Sequence, residues 1–218
     1  MSDPQGRCRL VLVAPEIADP ALLARSIEDA LKGGDVASVI VPQYGLDDRS
    51  FQDCAEAVVP IVQAAGAAAL ICGDTRVAGR SKADGIHIEG GGAPALAEAM
   101  ERFSPKSIVG VGGAKTKHAA LEFGELRPDY VFFGRHDGDI KPEAHSRNLE
   151  LAEWWAPTIE VPCIVMGGTD PLSALAIAAT GAEFAALRMA VFGEEGAAAR
   201  VVSEVNAVLD REAPRFDM

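Results

Sequence analysis

Residues 161–191 read VPCIVMGGTDPLSALAIAATGAEFAALRMAV, and this stretch decides the fold. A short apolar strand ends at Gly167-Gly168, a helix is predicted to begin at residues 169–171 and to end at Gly181, and a second apolar strand follows. A late strand–helix–strand unit of this kind is typical of (β/α)8 barrels that hold a phosphate, because backbone N–H groups and helix N-termini approach the anion there. The alternative is an ordinary strand-to-helix turn of another α/β protein.

The rest of the chain supplies the other units of a barrel. Short continuous apolar runs, as expected of strands buried on both faces, predict eight strands at residues 8–13, 36–41, 68–72, 85–88, 107–111, 130–133, 163–166 and 184–188. Segments of helical spacing lie between them at residues 20–31, 48–65, 94–103, 118–126, 146–155, 171–179 and 195–209. We therefore predict a (β/α)8 TIM barrel in which residues 1–218 form a single domain. An open doubly wound sheet is the alternative, and a late glycine-rich turn fits it less well.

Composition excludes several classes of function. The 218 residues are 49% hydrophobic and carry a formal net charge of −12, which argues against nucleic acid or an anionic membrane as a partner. Neither a secretory signal nor an apolar run of 18 residues is evident, so we expect a cytoplasmic protein. The four cysteines have no CxxC spacing, which favours buried, reduced thiols.

In a TIM barrel the chemistry lies on the loops that follow the strands. These positions are polar and rich in glycine, and they contain several separated cations, which predicts a site for a small phosphorylated ligand. The candidate residues there are Gln43, Asp74, Glu89, Lys115, Gly134, Arg135, His136, Lys141, Gly167, Gly168 and Arg188.

Several motifs in this order resemble the thiamine phosphate synthase/TenI family. The most specific are ADGIHI at residues 83–88 and the pair PCIVMGG and TGAEFAAL at residues 162–168 and 180–187. The resemblance covers roughly residues 36–191. It implies a TIM barrel that joins hydroxymethylpyrimidine diphosphate to thiazole phosphate, with Mg²⁺ on the diphosphate, and that releases pyrophosphate. Such a protein mainly positions charge around the leaving group and excludes water.

The resemblance assigns roles residue by residue. Asp74 matches a Mg²⁺-binding aspartate, and Glu89 is the carboxylate nearest to the second metal position. Gly167 and Gly168 match the glycines that bind the thiazole phosphate. Gly134 matches the glycine that ends strand 6, and Lys141 lies near the lysine that follows it in the family.

Other positions depart from the family pattern. In the family, a Gln-x-Arg-x-Lys motif on strand 2 binds the diphosphate. The corresponding residues 40–44 of this chain are IVPQY, which include Gln43 but no cation. Gly73 replaces the asparagine before the metal aspartate, and Gly112 replaces the serine of strand 5. We expect the monophosphate side of the site to survive and the diphosphate side to be eroded or rebuilt. Lys115, Lys117 and Arg135 are the candidates for rebuilding the diphosphate side; alternatively, these three are solvated charges at the rim. Arg188, which follows strand 8, is a further candidate for binding phosphate.

His136 leaves the activity open at this stage. It lies one position beyond the histidine of the TenI branch, which isomerises a thiazole phosphate by proton transfer. The alternatives to the Mg²⁺-dependent transferase are therefore a metal-independent isomerase that uses His136 and a barrel that binds a phosphorylated metabolite without turnover. The expected ligands are phosphorylated thiazole and pyrimidine metabolites. Trp154 and Trp155 either cover the outside of the barrel or mark a subunit contact of a homo-oligomer.

Overall fold

A computed structural model describes residues 6–216 of the chain. Eight parallel strands hydrogen-bond in sequence order, and β1 also pairs with β8, so the sheet closes into a barrel. The strands are β1 (Arg9–Val13), β2 (Ser38–Pro42), β3 (Ala68–Cys72), β4 (Gly85–Glu89), β5 (Ile108–Gly112), β6 (Tyr130–Phe133), β7 (Cys163–Met166) and β8 (Phe184–Leu187). The predicted TIM barrel is confirmed, and the open doubly wound alternative is excluded. The single-domain assignment of residues 1–218 stays a prediction.

The helices cover the outside of the barrel. They are α1 (Pro20–Leu31), α2 (Asp48–Ala64), α3 (Thr75–Ser81), α4 (Gly92–Phe103), α5 (Lys117–Glu125), α6 (Ser146–Trp155), α7 (Ser173–Ala178), α8 (Met189–Phe192) and α9 (Ala198–Glu212). None of the helices in the described part of the chain is long and apolar enough to cross a membrane.

Two predicted helices begin later in the chain than expected. The helix expected to begin at residues 169–171 begins at Ser173, because the Asp170 side chain accepts a hydrogen bond from the Leu172 amide and holds a turn there. The helix expected at residues 195–209 runs from Ala198 to Glu212. The short helices α3 and α8 were not predicted.

Two apolar layers stabilise the fold. One lies between the strands and the helices and includes Phe51, Phe133 and Trp155. The other fills the interior of the barrel with ten buried side chains, among them Tyr130, Phe132 and Met166. Gly110 makes this interior packing possible, since a Cβ there would overlap the Tyr130 ring. All four cysteines are buried and free, as predicted.

Polar side chains tie α9 to the segments that precede β1 and β2. The Arg7 side chain is 2% exposed and donates hydrogen bonds to Asp210, Asn206 and the Cys8 carbonyl. The Asn206 amide also donates to the carbonyls of Asp35 and Val202. The loops that follow the strands lie at the opposite end, which is where the barrel rule places the chemistry.

Candidate active site

The loops that follow the strands border two neighbouring cavities. The larger, here called the mouth cavity, measures about 520 Å³ and is lined by Gln43, Tyr44, Cys72, Gly73, His87, Ile88, Glu89, Gly90, Gly91, Ala95 and His136. The smaller, here called the cationic cavity, measures about 180 Å³ and is lined by Gly113, Ala114, Lys115, Gly134, Arg135, Gly138, His145, Arg147 and Asn148. Arg135 and His136 are adjacent in the chain but border different cavities, so the loop after β6 separates the two.

The mouth cavity contains a close group of polar side chains. His136 Nδ1 pairs directly with Glu89 Oε2, and both side chains are 21% exposed. Cys72 Sγ lies 4.0 Å from the same carboxylate oxygen. Burial raises the pKa of Glu89, but His136 outweighs it and leaves that pKa below its ordinary value. The His136 ring also meets the Tyr44 ring edge-on, with centroids 5.4 Å apart. Tyr44 in turn donates a hydrogen bond to the Ala14 carbonyl.

His87 lies deeper in the same cavity. Its Nδ1 lies 3.0 Å from the Tyr130 hydroxyl, whereas its Nε2 is buried and has no hydrogen-bond partner among the described residues. Burial lowers the pKa of His87 to about 4, so the ring is neutral at pH 7. Gly112 lies beside the unpartnered nitrogen, and a Cβ at this glycine would lie 3.0 Å from it. Buried polar atoms in proteins normally have a hydrogen-bond partner, so this nitrogen is an exception.

The cationic cavity brings together three of the predicted phosphate-binding residues, Gly134, Lys115 and Arg135. Arg135 also pairs with Asp137 at 2.8 Å, but its side chain is 68% exposed and within reach of a ligand. His145 and Arg147, which the sequence analysis missed, add two more basic side chains. Both lie at the N-terminal end of α6. The sequence could have indicated them, because the helix that follows β6 begins at the rim of the barrel.

The predicted phosphate turn after β7 needs a correction. The amide of Gly167 donates to the Ala186 carbonyl, and that of Gly168 donates to the Ser173 hydroxyl. The next two amides donate to the carbonyls of Lys141 and Pro142. The loop after β6 thus covers the turn, and a Cβ at Gly168 would overlap the Pro142 carbonyl. In this structure both glycine amides already have partners within the chain, and phosphate binding at this turn stays a prediction.

Arg188 was also predicted to hold phosphate, but the structure gives it a different partner. Its guanidinium donates to Asp139 Oδ1 at 2.6 and 2.9 Å, and the Met189 amide donates to Asp139 Oδ2 at 2.6 Å. The Asp139 side chain is fully buried. The Arg188 charge is therefore already neutralised within the chain.

Two other predicted residues also differ from expectation. Gln43 ties two loops together: its Oε1 accepts from the Asp74 amide at 3.1 Å and its Nε2 donates to the Leu46 carbonyl. A Cβ at Gly73 would lie 2.6 Å from that Oε1, which explains why no asparagine stands there. Lys141 is exposed and borders neither cavity, and only its carbonyl has a described contact.

Comparison with known proteins identifies the family of this chain. A family described as "Thiamine monophosphate synthase" matches residues 10–191. The chain belongs to the thiamine monophosphate synthase family. It is 31% identical over 215 residues to a thiamine-phosphate synthase of Hyphomonas neptunium, covering 96% of this chain and 97% of the relative. It is 32% identical over 204 residues to one of Rhodospirillum centenum, covering 93% and 98%.

A solved structure, a thiamine phosphate pyrophosphorylase from Pyrococcus furiosus, has the same fold. It superposes with a TM-score of 0.78 at 19% identity and covers 95% of this chain and 98% of its own. At this identity the likeness shows the fold alone. Membership in the family rests on the sequence matches.

Membership in the thiamine monophosphate synthase family implies Mg²⁺, and the two carboxylates predicted to hold it do not fit that role here. Asp74 accepts hydrogen bonds from the Arg76 guanidinium at 2.5 and 2.8 Å, and these hold the pKa of Asp74 below its ordinary value. Glu89 is paired with His136. Mg²⁺ prefers oxygen ligands in octahedral geometry, whereas the donors nearest to Glu89 are a thiol and an imidazole.

Proposed function

We propose that this chain is a thiamine phosphate synthase-like transferase. The reaction joins a hydroxymethylpyrimidine diphosphate to a thiazole phosphate and releases pyrophosphate. The observation that carries the proposal is the family match across residues 10–191, together with relatives above 30% identity that align over nearly their whole length. The names of those relatives favour the transferase over the isomerase and over binding without turnover.

The geometry supports a place for the anionic groups of the substrates. In this reaction the bond between the pyrimidine methylene carbon and the diphosphate oxygen breaks, pyrophosphate leaves with the electron pair, and the thiazole nitrogen forms the new bond to that carbon. Cations close to the leaving oxygens stabilise the charge that develops there. Lys115, Arg135 and Arg147 surround the cationic cavity and are the residues to which we assign this role.

The mouth cavity, of about 520 Å³, has the size of a small-molecule site and adjoins the cationic cavity through the loop after β6. We propose that the two rings meet there, with His136 and Tyr44 beside them. The His136 ring bonds to Glu89 and packs on Tyr44, so it is held in one orientation. We assign Gly134, which lines the cationic cavity, to the phosphate end, and the family resemblance assigns Gly167 and Gly168 to the same end.

Two substitutions at opposite ends of one strand test the cation assignment. Lys115→Ala removes a charge from the cationic cavity, whereas Lys106→Ala removes an exposed charge before β5, at the other end of the barrel. We expect Lys115→Ala to lower kcat/KM for thiamine phosphate formation at least about 10-fold, since a lost charge-assisted contact costs about 1.5–3 kcal/mol. Lys106→Ala should leave it unchanged.

The assay supplies both substrates with Mg²⁺, which the family resemblance implies, and measures thiamine phosphate together with pyrophosphate. Absence of both products would contradict the transferase. Metal-independent isomerisation of the thiazole phosphate would then indicate the isomerase that uses His136. Binding of the thiazole phosphate without any conversion would indicate a non-catalytic barrel.

A further inference from the structure

The mouth cavity contains the one group of three potential metal ligands found among residues 6–216. Cys72 Sγ, Glu89 Oε2 and His136 Nδ1 all lie within 4.8 Å of one another. They come from the ends of β3 and β4 and from the loop after β6, so three separate elements converge on one point. A thiol, a carboxylate and an imidazole form a donor set unlike the paired carboxylates that suit Mg²⁺.

The spacing of these atoms fits a tetrahedral ion. For Zn²⁺, bond lengths of about 2.3 Å to sulfur and about 2.1 Å to oxygen at a tetrahedral angle place the two atoms about 3.6 Å apart. The observed separation between Cys72 Sγ and Glu89 Oε2 is 4.0 Å. A shift of a few tenths of an ångström brings these two atoms to that spacing. Glu89 and His136, which contact each other directly, have to move further apart so that the ion can lie between them.

Charge balance also favours a divalent ion. A bound thiolate and a carboxylate carry two negative charges, which neutralise a 2+ ion, while His136 coordinates as a neutral ring. The Cys72 residue is only 6% exposed, and the other two side chains are 21% exposed. The ion would thus be shielded on the barrel side and open towards the mouth cavity, as in metal sites that leave one position for a water or a substrate.

His87 provides a second, independent observation. This residue is 98% buried, borders the same cavity and has an Nε2 atom for which residues 6–216 provide no hydrogen-bond partner. Its Nδ1 is occupied by the Tyr130 hydroxyl, so the free nitrogen lies on the opposite edge of the ring. Leaving such a nitrogen unsatisfied costs free energy, and a bound ion with its remaining ligand would supply a partner.

From this geometry we infer that Cys72, Glu89 and His136 form a binding site for a Zn²⁺-class transition-metal ion. The site replaces the hard carboxylate pair of a magnesium centre with donors that Mg²⁺ binds poorly. The inference does not rest on the proposed function, because metal binding is measured without either substrate.

The test is a titration of the purified full-length protein, treated with a chelator and freed of any affinity tag, with Co²⁺. We expect one Co²⁺ per chain with a thiolate-to-cobalt charge-transfer absorption, and we expect Zn²⁺ but not excess Mg²⁺ to displace it. The variants Cys72→Ser and His136→Gln should each weaken binding at least about 100-fold, and Cys72→Ser should lose the absorption band. Cys54→Ser is the matched control and should behave as the parent, because this thiol lies in the outer apolar layer and donates to the carbonyls of Ile17 and Ala18.

Absence of stoichiometric binding would overturn the inference. So would a Cys72→Ser protein that keeps the absorption band, or equal competition by Mg²⁺. Circular dichroism of each variant verifies that it folds. If Cys72→Ser does not fold, His136→Gln and Glu89→Gln decide the question, because both replace partly exposed side chains: unchanged Co²⁺ affinity in both would overturn the site, and a loss in both would support it.

Discussion

At the scale of single residues, Asp139 determines how the loop after β6 is held at the rim. Its buried carboxylate bonds to the Arg188 guanidinium and to the Met189 amide, which joins this loop to the end of β8. Burial lowers the pKa of Arg188, but Asp139 and Tyr44 outweigh it and raise that pKa above its ordinary value. The Arg188 guanidinium therefore keeps its charge, and its contact with Asp139 is structural.

Asp139→Asn should destabilise the fold. The substitution leaves the Arg188 charge without its counter-ion in a site where that side chain is only 13% exposed. Removing one partner of a buried ion pair costs about 3–5 kcal/mol. We expect a loss of about 3 kcal/mol in the free energy of unfolding, measured by urea denaturation.

The double variant Asp139→Asn/Arg188→Met is the matched control, because it removes both charges together. It should recover part of the lost stability. A single variant as stable as the parent would show that the pair contributes nothing to holding this loop.

The pairing of Asp139 with Arg188 also shows where sequence reasoning on the site ends. Barrel topology placed Arg188, Lys115 and Arg135 at the rim, and Lys115 and Arg135 line one cavity together with Gly134. It did not reveal which rim charges neutralise one another, because that depends on the conformation of the loops between strands. Arg188 was assigned to a phosphate because its partner Asp139, 49 residues earlier in the chain, could not be recognised from the sequence.

At the scale of elements, the Asn206 side chain links α9 to two neighbouring segments of the chain. Asn206 accepts from Arg7 and donates to the Asp35 carbonyl, so it links α9 to the segments before β1 and β2. The Arg7 guanidinium is otherwise held by Asp210 and the Cys8 carbonyl.

Asn206→Ala should loosen this contact. The buried Arg7 guanidinium and the partly buried Asp35 carbonyl each lose a partner, and an unsatisfied buried group costs about 1–3 kcal/mol. We expect the free energy of unfolding to fall by about 2 kcal/mol in urea denaturation. Ser203→Ala, an exposed position on the same helix, is the control and should change it by less than about 0.5 kcal/mol. Equal effects of the two substitutions would contradict the role given to Asn206.

Elements were predictable where hydrophobic spacing alone positions them. All eight strands lie within two residues of their expected bounds, and α1 and α6 agree at both ends. The exceptions are short or locally capped. The seven residues of α3 include two arginines and Gly79, too few apolar positions for a helical period, and α7 starts late because Asp170 forms a turn first.

At the scale of the whole molecule, burial of the thiols gives the fold a dependence on alkaline pH. Burial raises the pKa of Cys8 from 9.0 to about 12, and it also raises that of Cys163. In the unfolded chain these thiols ionise at ordinary values. The folded state therefore binds more protons than the unfolded state between pH 9 and pH 12.

Stability should thus be fully present below pH 9 and should fall as the pH rises through this range. The buried Cys8 thiol contributes up to about 4 kcal/mol to the free energy of unfolding, because its pKa rises from 9.0 to about 12 and a change of one in pKa corresponds to about 1.4 kcal/mol. We expect the urea midpoint to fall steadily from pH 8.5 to pH 10.5. In Cys8→Ala the fall should be shallower, and an identical slope in both proteins would contradict this assignment.

The filled interior of the barrel has one further consequence. Because Tyr130, Phe132 and their neighbours fill the lumen, the part of the chain from residue 6 to residue 216 has no channel along the barrel axis. In a two-substrate reaction at the rim, both substrates then enter and both products leave at the same end of the barrel. Where one substrate lies beneath the other, the deeper one has to bind first, so the order of binding is compulsory.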